Sequence, residues 1–148
     1  MKARDIMTAK PFAVLPSDPV WRAAEIMKYD DIGGVPVVDN CVHPRLVGLI
    51  TDRDIAVRCV ARRHHSECSI AEHMTPAPLS TVLPEASIAE VLEKMEAAQV
   101  RRIPVVDTSG ELIGIVAEVD LAMKLPARDA LPARKRVKTS TPPALSRL

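Results

Sequence analysis

Aromatic residues are scarce in this 148-residue chain: Phe12, Trp21 and Tyr29 are the only three, and all fall in the first thirty positions. Proteins that read nucleic-acid bases by stacking usually need more, so specific nucleic-acid binding is not expected. Apolar residues make up 47 % of the chain, yet no uninterrupted apolar run is long enough to span a bilayer. The opening residues, Met1 to Met7, lack the apolar stretch of a secretory signal; a cytoplasmic protein without membrane association is expected. Cysteine is sparse and odd in number, with Cys41, Cys59 and Cys68 at no metal-like spacing, which suits a reducing compartment. Catalytic signatures are missing as well. There is no Gly-x-Ser-x-Gly, no phosphate-cradling Walker loop, and Gly33-Gly34 is not a dinucleotide fingerprint. No enzymatic activity, catalytic residue or obligate cofactor is expected.

Net charge is only +1, but it is unevenly spread. From Pro126 onward there are six Lys/Arg and one Asp, with Pro, Ser and Thr and no periodicity, while the rest of the chain is net acidic. Residues 126–148 are read as a disordered basic tail. Its charge alone would support only salt-sensitive, nonspecific binding to nucleic acid.

What the chain does have is the same passage twice. Val35-Pro-Val-Val-Asp39 returns as Ile103-Pro-Val-Val-Asp107, and Gly48-Leu-Ile-Thr-Asp-Arg-Asp54 returns as Gly114-Ile-Val-Ala-Glu-Val-Asp120. Met7-Thr8 and Leu15-Pro16 return as Met74-Thr75 and Leu83-Pro84. Such self-similarity marks a tandem repeat, here one unit over 1–68 and a second over 69–125, with a cleft expected between them.

Each unit begins with a proline-broken lead-in segment and continues into a helix. Asp18 is a candidate cap for the first helix, with Pro19 at its first position; Ser87-x-x-Glu90 resembles a capping box for the second. The apolar stripes Val20, Ala23, Ala24, Met27 and Ile88, Val91, Leu92, Met95 share one register. Two short strands follow (35–38 and 46–50; 103–106 and 112–116), separated by turn-forming residues. A second helix then starts near Asp52, reaching about Arg63, and near Glu118. The fold class is α+β, with β-α-β-β-α in each repeat.

At these residues the chain resembles a CBS-domain pair, or Bateman module, over roughly residues 1–125. It is most similar to stand-alone bacterial CBS-pair proteins, including actinobacterial hypoxic-response proteins. The similarity rests on Met-Thr, apolar-Pro-apolar-apolar-Asp and Gly-apolar-apolar-Thr-x-x-Asp in order and nearly twice, and on Asp31-Ile-Gly33, Thr51-Asp-Arg-Asp54 and Val100-Arg-Arg-Ile-Pro104. The resemblance implies two repeats packed about a pseudo-twofold axis with a central cleft. It also implies a homodimer, and a regulator of an unidentified protein that binds AMP, ADP, ATP or S-adenosylmethionine. The alternative is a structural or protein-interaction module with no small ligand, suggested by the degenerate second copy and the basic tail.

Within that frame the candidate ligand residues are Thr8, Val35, Pro36, Thr51, Asp54, Thr75, Arg102, Ile103, Pro104 and Asp120. A carboxylate at Asp54 or Asp120 can accept from both hydroxyls of a ribose. Thr51 at a helix start suits phosphate, but Thr51 and Asp54 equally make a capping box. Ala117 replaces the threonine in the second copy, so the Asp54 side is expected to bind better. Arg102, just before its strand, offers a fork for phosphate, or else belongs with Arg101 to a solvated pair or a salt bridge at the dimer face. Val35, Pro36, Ile103 and Pro104 could flank an adenine or simply fill a core. Thr8 and Thr75 lie in the lead-in segments that the resemblance places at the base pocket. His64, His65, Cys68 and His73 match no standard zinc spacing and are read as a solvated inter-repeat linker, with no metal ligands expected.

Overall fold

The computed structural model describes residues 1–126. Apart from Pro126, the tail expected to be disordered lies outside the described residues. The elements run α1 (Ala3–Ile6), β1 (Thr8–Ala9), α2 (Val20–Asp30), β2 (Gly34–Val38), β3 (Leu46–Thr51), α3 (Asp52–Asp54), β4 (Thr75–Pro76), α4 (Ile88–Ala98), β5 (Arg102–Val106), β6 (Leu112–Ala117) and α5 (Glu118–Lys124). The architecture is α+β, with two three-stranded antiparallel sheets ordered β2-β3-β4 and β1-β6-β5.

The apolar stripes become the buried faces of α2 and α4. Val20, Ala23 and Met27 are buried from α2, and Val91 and Met95 from α4. Ala24 is exposed, however, and Ile26 packs against the core in its place. Asp18 also departs from its expected role. The helix starts at Val20 with Pro19 flanking it, and the Asp18 carboxylate instead accepts from the Leu15 N–H at 2.8 Å and pairs with Arg22 at 3.3 Å. Pro19 has no N–H to bond and holds φ at −71°, so it serves as the last extended residue before the helix. Ser87 does cap, its hydroxyl accepting from the Glu90 N–H at 3.2 Å. Both helices end on a left-handed residue at equivalent positions, Asp31 (φ 52°) and Gln99 (φ 54°).

The strand pairs also repeat residue for residue. Val35 faces Ile50 and Ile103 faces Val116, and each hairpin shifts register at the same point, Val37/Val38 and Val105/Val106. Alternation along β2 and β5 sends Val35, Val37, Ile103 and Val105 into two cores. After α3 the chain does not continue as an α-helix to Arg63; it runs as a π-helix over Ile55–Val60, with the Ala61 N–H donating to the Ala56 carbonyl five residues back at 2.9 Å.

The lead-in segments cross over. Thr8 and Ala9 pair with Ile115 and Gly114 of the second repeat, whereas Thr75 and Pro76 pair with Leu49 and Gly48 of the first. Ala3 and Ile6 accordingly sit in the core built from Val91, Ile103 and Leu121, while Ile70 and Met74 join the core of Val20, Val35 and Ile50. Covalent repeats and packed cores are therefore not coextensive. The crossing explains the paired Met-Thr and Gly-apolar motifs. A Cβ on Gly48 would stand 2.6 Å from the Met74 sulfur, and one on Gly114 would collide with Met7. Each methionine lies over the bare backbone of a glycine in the opposite unit.

Candidate functional site

Two clefts open between the repeats, on either side of the residues that precede β2 and β5. The segment before β2 carries Gly33 and Gly34; the equivalent segment before β5 carries Arg101 and Arg102. These segments meet. A Cβ on Gly33 would stand 2.6 Å from Arg102 Nη2, and one on Gly34 would stand 3.1 Å from Arg102 Cδ. The glycines thus make room for the half-buried Arg102 side chain. Burial pushes the Arg102 pKa down from the usual guanidinium value, while the nearby Asp52 and Asp120 carboxylates favour the charged form and Arg101 opposes it. Arg102 lines both clefts.

One cleft, of about 460 Å³, gathers Thr8, Pro36, Arg102 and Asp120 of the expected residues with Phe12, Ile32, Ala117 and Val119. Its walls come from both repeats because β1 has crossed to β6. The Asp120 carboxylate accepts from the Ala117 N–H at 3.2 Å through Oδ2 and lies 3.9 Å from Lys124 Nζ through Oδ1. This is the surviving half of a capping box: Asp120 keeps the backbone contact, although Ala117 offers no hydroxyl in return.

The other cleft, of about 680 Å³, is lined by Leu49, Thr51, Asp52, Arg53, Gln99, Val100, Arg101 and Arg102. Here the capping box is complete. The Thr51 hydroxyl accepts from the Asp54 N–H at 3.1 Å, and Asp54 Oδ2 accepts from the Thr51 N–H at 3.0 Å. Asp54 Oδ1 lies 3.8 Å from Arg58 Nε, and the side chain is 13 % exposed. Thr51 lines this cleft; Asp54 is not among its lining residues.

The remaining expected residues are divided. Val35 and Ile103 are fully buried in the two cores, because alternation along a strand turns them away from their cleft-facing neighbours. Pro104 is buried opposite Ile115, and Thr75 is half-buried opposite Leu49; neither lines the two clefts described. Phe12 and Ile32, 66 % and 38 % exposed, were not selected from the sequence. The available signal was an aromatic within a lead-in segment that has almost no other aromatic company.

The linker histidines do not form a uniformly solvated segment. His64 and His65 are exposed, but His73 is buried at 2 % exposure and faces His64, with 3.5 Å between His73 Nε2 and His64 Nδ1. The 3-10 turn Ile70–Glu72 folds His73 inward, its N–H donating to the Ile70 carbonyl at 3.0 Å. Burial holds the His73 pKa below the ordinary imidazole value and lifts that of the Cys68 thiol, with Glu72 adding to the latter.

Among the described residues no helix is long and apolar enough to cross a membrane. Comparison with known proteins agrees with this architecture. Hypoxic response protein 1 of Mycobacterium tuberculosis is 38 % identical over 124 residues, covering 84 % of this chain and 85 % of that protein. The crystal structure of Hypoxic Response Protein I with two coordinated zinc ions superposes with a TM-score of 0.76 at 37 % identity, covering 85 % of this chain and all of that one. The CBS domain pair of protein MJ0100, solved in complex with 5′-methylthioadenosine and S-adenosyl-L-methionine, gives a TM-score of 0.74 at 29 % identity over 84 % of this chain and 94 % of that one. The CBS domain family model matches twice, over residues 3–60 and 70–127. The chain belongs to the CBS domain family and carries two copies of the domain.

Proposed function

We propose that this CBS pair is a regulatory protein that binds an adenosyl ligand, of the AMP, ADP, ATP or S-adenosylmethionine type, in the cleft lined by Asp120. The observation that carries the reading is the convergence of Thr8, Pro36, Arg102 and Asp120 on that cleft beside Phe12 and Ile32. Asp120 supplies acceptors for a ribose diol, Phe12 and Ile32 supply apolar surface for a base, and Arg102 supplies a cation for phosphate or carboxylate. The adenosyl ligands of the MJ0100 domain pair support the same class. The arginine-rich cleft at Thr51 is proposed as the weaker nucleoside site. Its Asp54 is not among the residues that line it, and its three arginines suit phosphate more than base.

The protein is proposed to act in the cytoplasm without catalysis, signalling ligand occupancy to an unidentified partner. Occupancy can act this way only if the ligand binds one arrangement of the repeats more tightly than another. A homodimer is proposed through the second-helix faces. Cys59, Leu121 and Leu125 lie in the cores, which leaves Val57, Val60, Val119 and Met123, all about half exposed or more, as the candidate contacts. The division into repeats 1–68 and 69–125 and a tail 126–148 is proposed as the domain organisation. A thermal-shift screen of the whole chain against AMP, ADP, ATP, S-adenosylmethionine, NAD and GTP tests the reading. An adenosyl compound should raise the melting temperature by several degrees, since a ligand at one hundred times its Kd adds about 2.7 kcal/mol. No shift at millimolar concentration with any of them would leave the ligand-free interaction module as the better reading.

A further inference from the structure

We propose that His64, Cys68, Glu72 and His73 form a binding site for one zinc-type divalent cation. One ligand-capable atom from each of these four side chains lies within 4.8 Å of all the others. The two imidazoles are already at bound spacing, 3.5 Å between His64 Nδ1 and His73 Nε2. Glu72 Oε2 stands 3.9 Å from His73 Nε2. A tetrahedral zinc with nitrogen ligands at 2.0–2.1 Å and sulfur at 2.3 Å places neighbouring ligand atoms about 3.3–3.8 Å apart. Closing the cluster therefore requires movements of about 1 Å, and the exposed side chains of His64 and Glu72 are free of the core and able to make them.

The donor chemistry selects the cation. A thiolate and a carboxylate balance the two positive charges, and two neutral imidazoles complete four ligands. A mixed sulfur, nitrogen and oxygen set suits zinc and disfavours magnesium or calcium, which take oxygen. The spacing along the chain hides this because the ligands are not carried by a zinc ribbon. They come from two backbone turns that the fold brings together, one after the π-helix and one at Ile70–Glu72.

Both turns are fixed independently of any ion. The His64 N–H donates to the Cys59 carbonyl at 3.0 Å, and the Cys68 N–H donates to that of His65 at 3.2 Å. Cys59 Sγ lies 3.7 Å from the carbonyl oxygens of both His64 and His65. On the other side Arg58 Nη1 donates to the carbonyls of His73 and Met74 at 3.4 and 3.0 Å. Met74 is the residue that crosses over Gly48. An ion held here fastens the end of the π-helix to the segment that exchanges between repeats.

The test uses the full chain, stripped with a chelator under a non-thiol reductant. Zinc is titrated against a chromophoric competitor, and cobalt(II) is added as a spectroscopic probe. One equivalent of zinc should bind per chain. Cobalt should give the visible bands of a tetrahedral site with a sulfur-to-cobalt charge-transfer band. Cys68→Ser should remove that band, and His64→Ala, at an exposed position, should weaken zinc by at least about 100-fold, beyond the 10–100-fold typical of losing an outer-sphere partner. His73→Ala removes a core side chain, so circular dichroism must accompany it. A chain carrying both Cys41→Ser and His43→Ala should bind as the wild type does. The proposal is overturned if the wild type binds no stoichiometric zinc, if cobalt shows no sulfur ligation, or if Cys68→Ser and His64→Ala leave the affinity unchanged.

Discussion

The two halves of this molecule share a backbone plan and differ where the difference does chemical work. In the first, Thr51 and Asp54 close a reciprocal cap, and Gly33-Gly34 leave an empty place before the strand. In the second, Ala117 leaves the cap half made, and Arg102 fills the place the glycines vacate. Degeneracy between repeats is therefore complementary. The half that lost its threonine hydroxyl has its aspartate lining a cleft beside Phe12, Ile32 and the only arginine common to both clefts. The half with the intact motif uses its aspartate to hold a helix that turns into a π-helix within three residues.

The crossing glycines give the largest expected test of this correspondence. A Cβ on Gly48 meets the Thr75 carbonyl oxygen at 2.9 Å as well as the Met74 sulfur, whereas on Gly114 the three nearest atoms all belong to the Met7 side chain. Gly48→Ala must displace backbone and should cost about 1–3 kcal/mol, the usual penalty for overpacking. Gly114→Ala should cost less, because a methionine can change rotamer. Urea denaturation of the two variants decides it, and equal losses would mean that the crossings are not held in the same way in each half.

The caps come next. Thr51→Ala should lose about 1 kcal/mol. Ala117→Thr should gain up to a similar amount by completing the box with Asp120. Chemical denaturation checks both; a loss on Ala117→Thr would show that the second half has no room for the hydroxyl its aspartate could use.

The smallest effect is expected at the surface pairs of Lys2 and Arg4 with Glu85, which tie α1 to the lead-in of the second repeat. All three side chains are about half exposed. Glu85→Gln should therefore lower stability only slightly, and the loss should shrink with added salt. A large, salt-independent loss in a thermal melt would mean that the crossing of α1 depends on this ion pair more than on the burial of Ala3 and Ile6.

The repeat made much of this legible in advance. Two sequences in one register predicted two matching helices and two matching hairpins, and strands end within a residue or so of where β-rich runs end, because period-2 and period-3.6 patterns are local properties. Tertiary choices were not legible. Two-residue strands such as Thr8–Ala9 have no pattern that names their partner, so the exchange between sheets could not be read. Nothing in the sequence of the Gly33-Gly34 pair shows that it accommodates Arg102, about sixty-eight positions away. Val35 and Ile103 could flank an adenine or fill a core on sequence grounds, and they lie in cores; a motif says which residues recur and not which face of the strand they occupy. His73 was grouped with a solvated linker, since a single buried turn among exposed neighbours leaves no periodic trace.

The central claim is that the aspartate of the half-made cap, and not that of the complete one, meets the ligand. Isothermal titration of the adenosyl compound giving the strongest thermal shift, into wild type, Asp120→Ala and Asp54→Ala, measures this most directly. Each variant's stability should be recorded alongside, since both carboxylates accept from a backbone N–H. Loss of a charged hydrogen-bond acceptor for the ribose is worth about 1.5–3 kcal/mol. Asp120→Ala should thus weaken binding by about 10- to 100-fold, with Asp54→Ala close to wild type in affinity. A loss of affinity on Asp54→Ala with Asp120→Ala unaffected would contradict the account and move the ligand to the arginine-rich cleft beside Thr51.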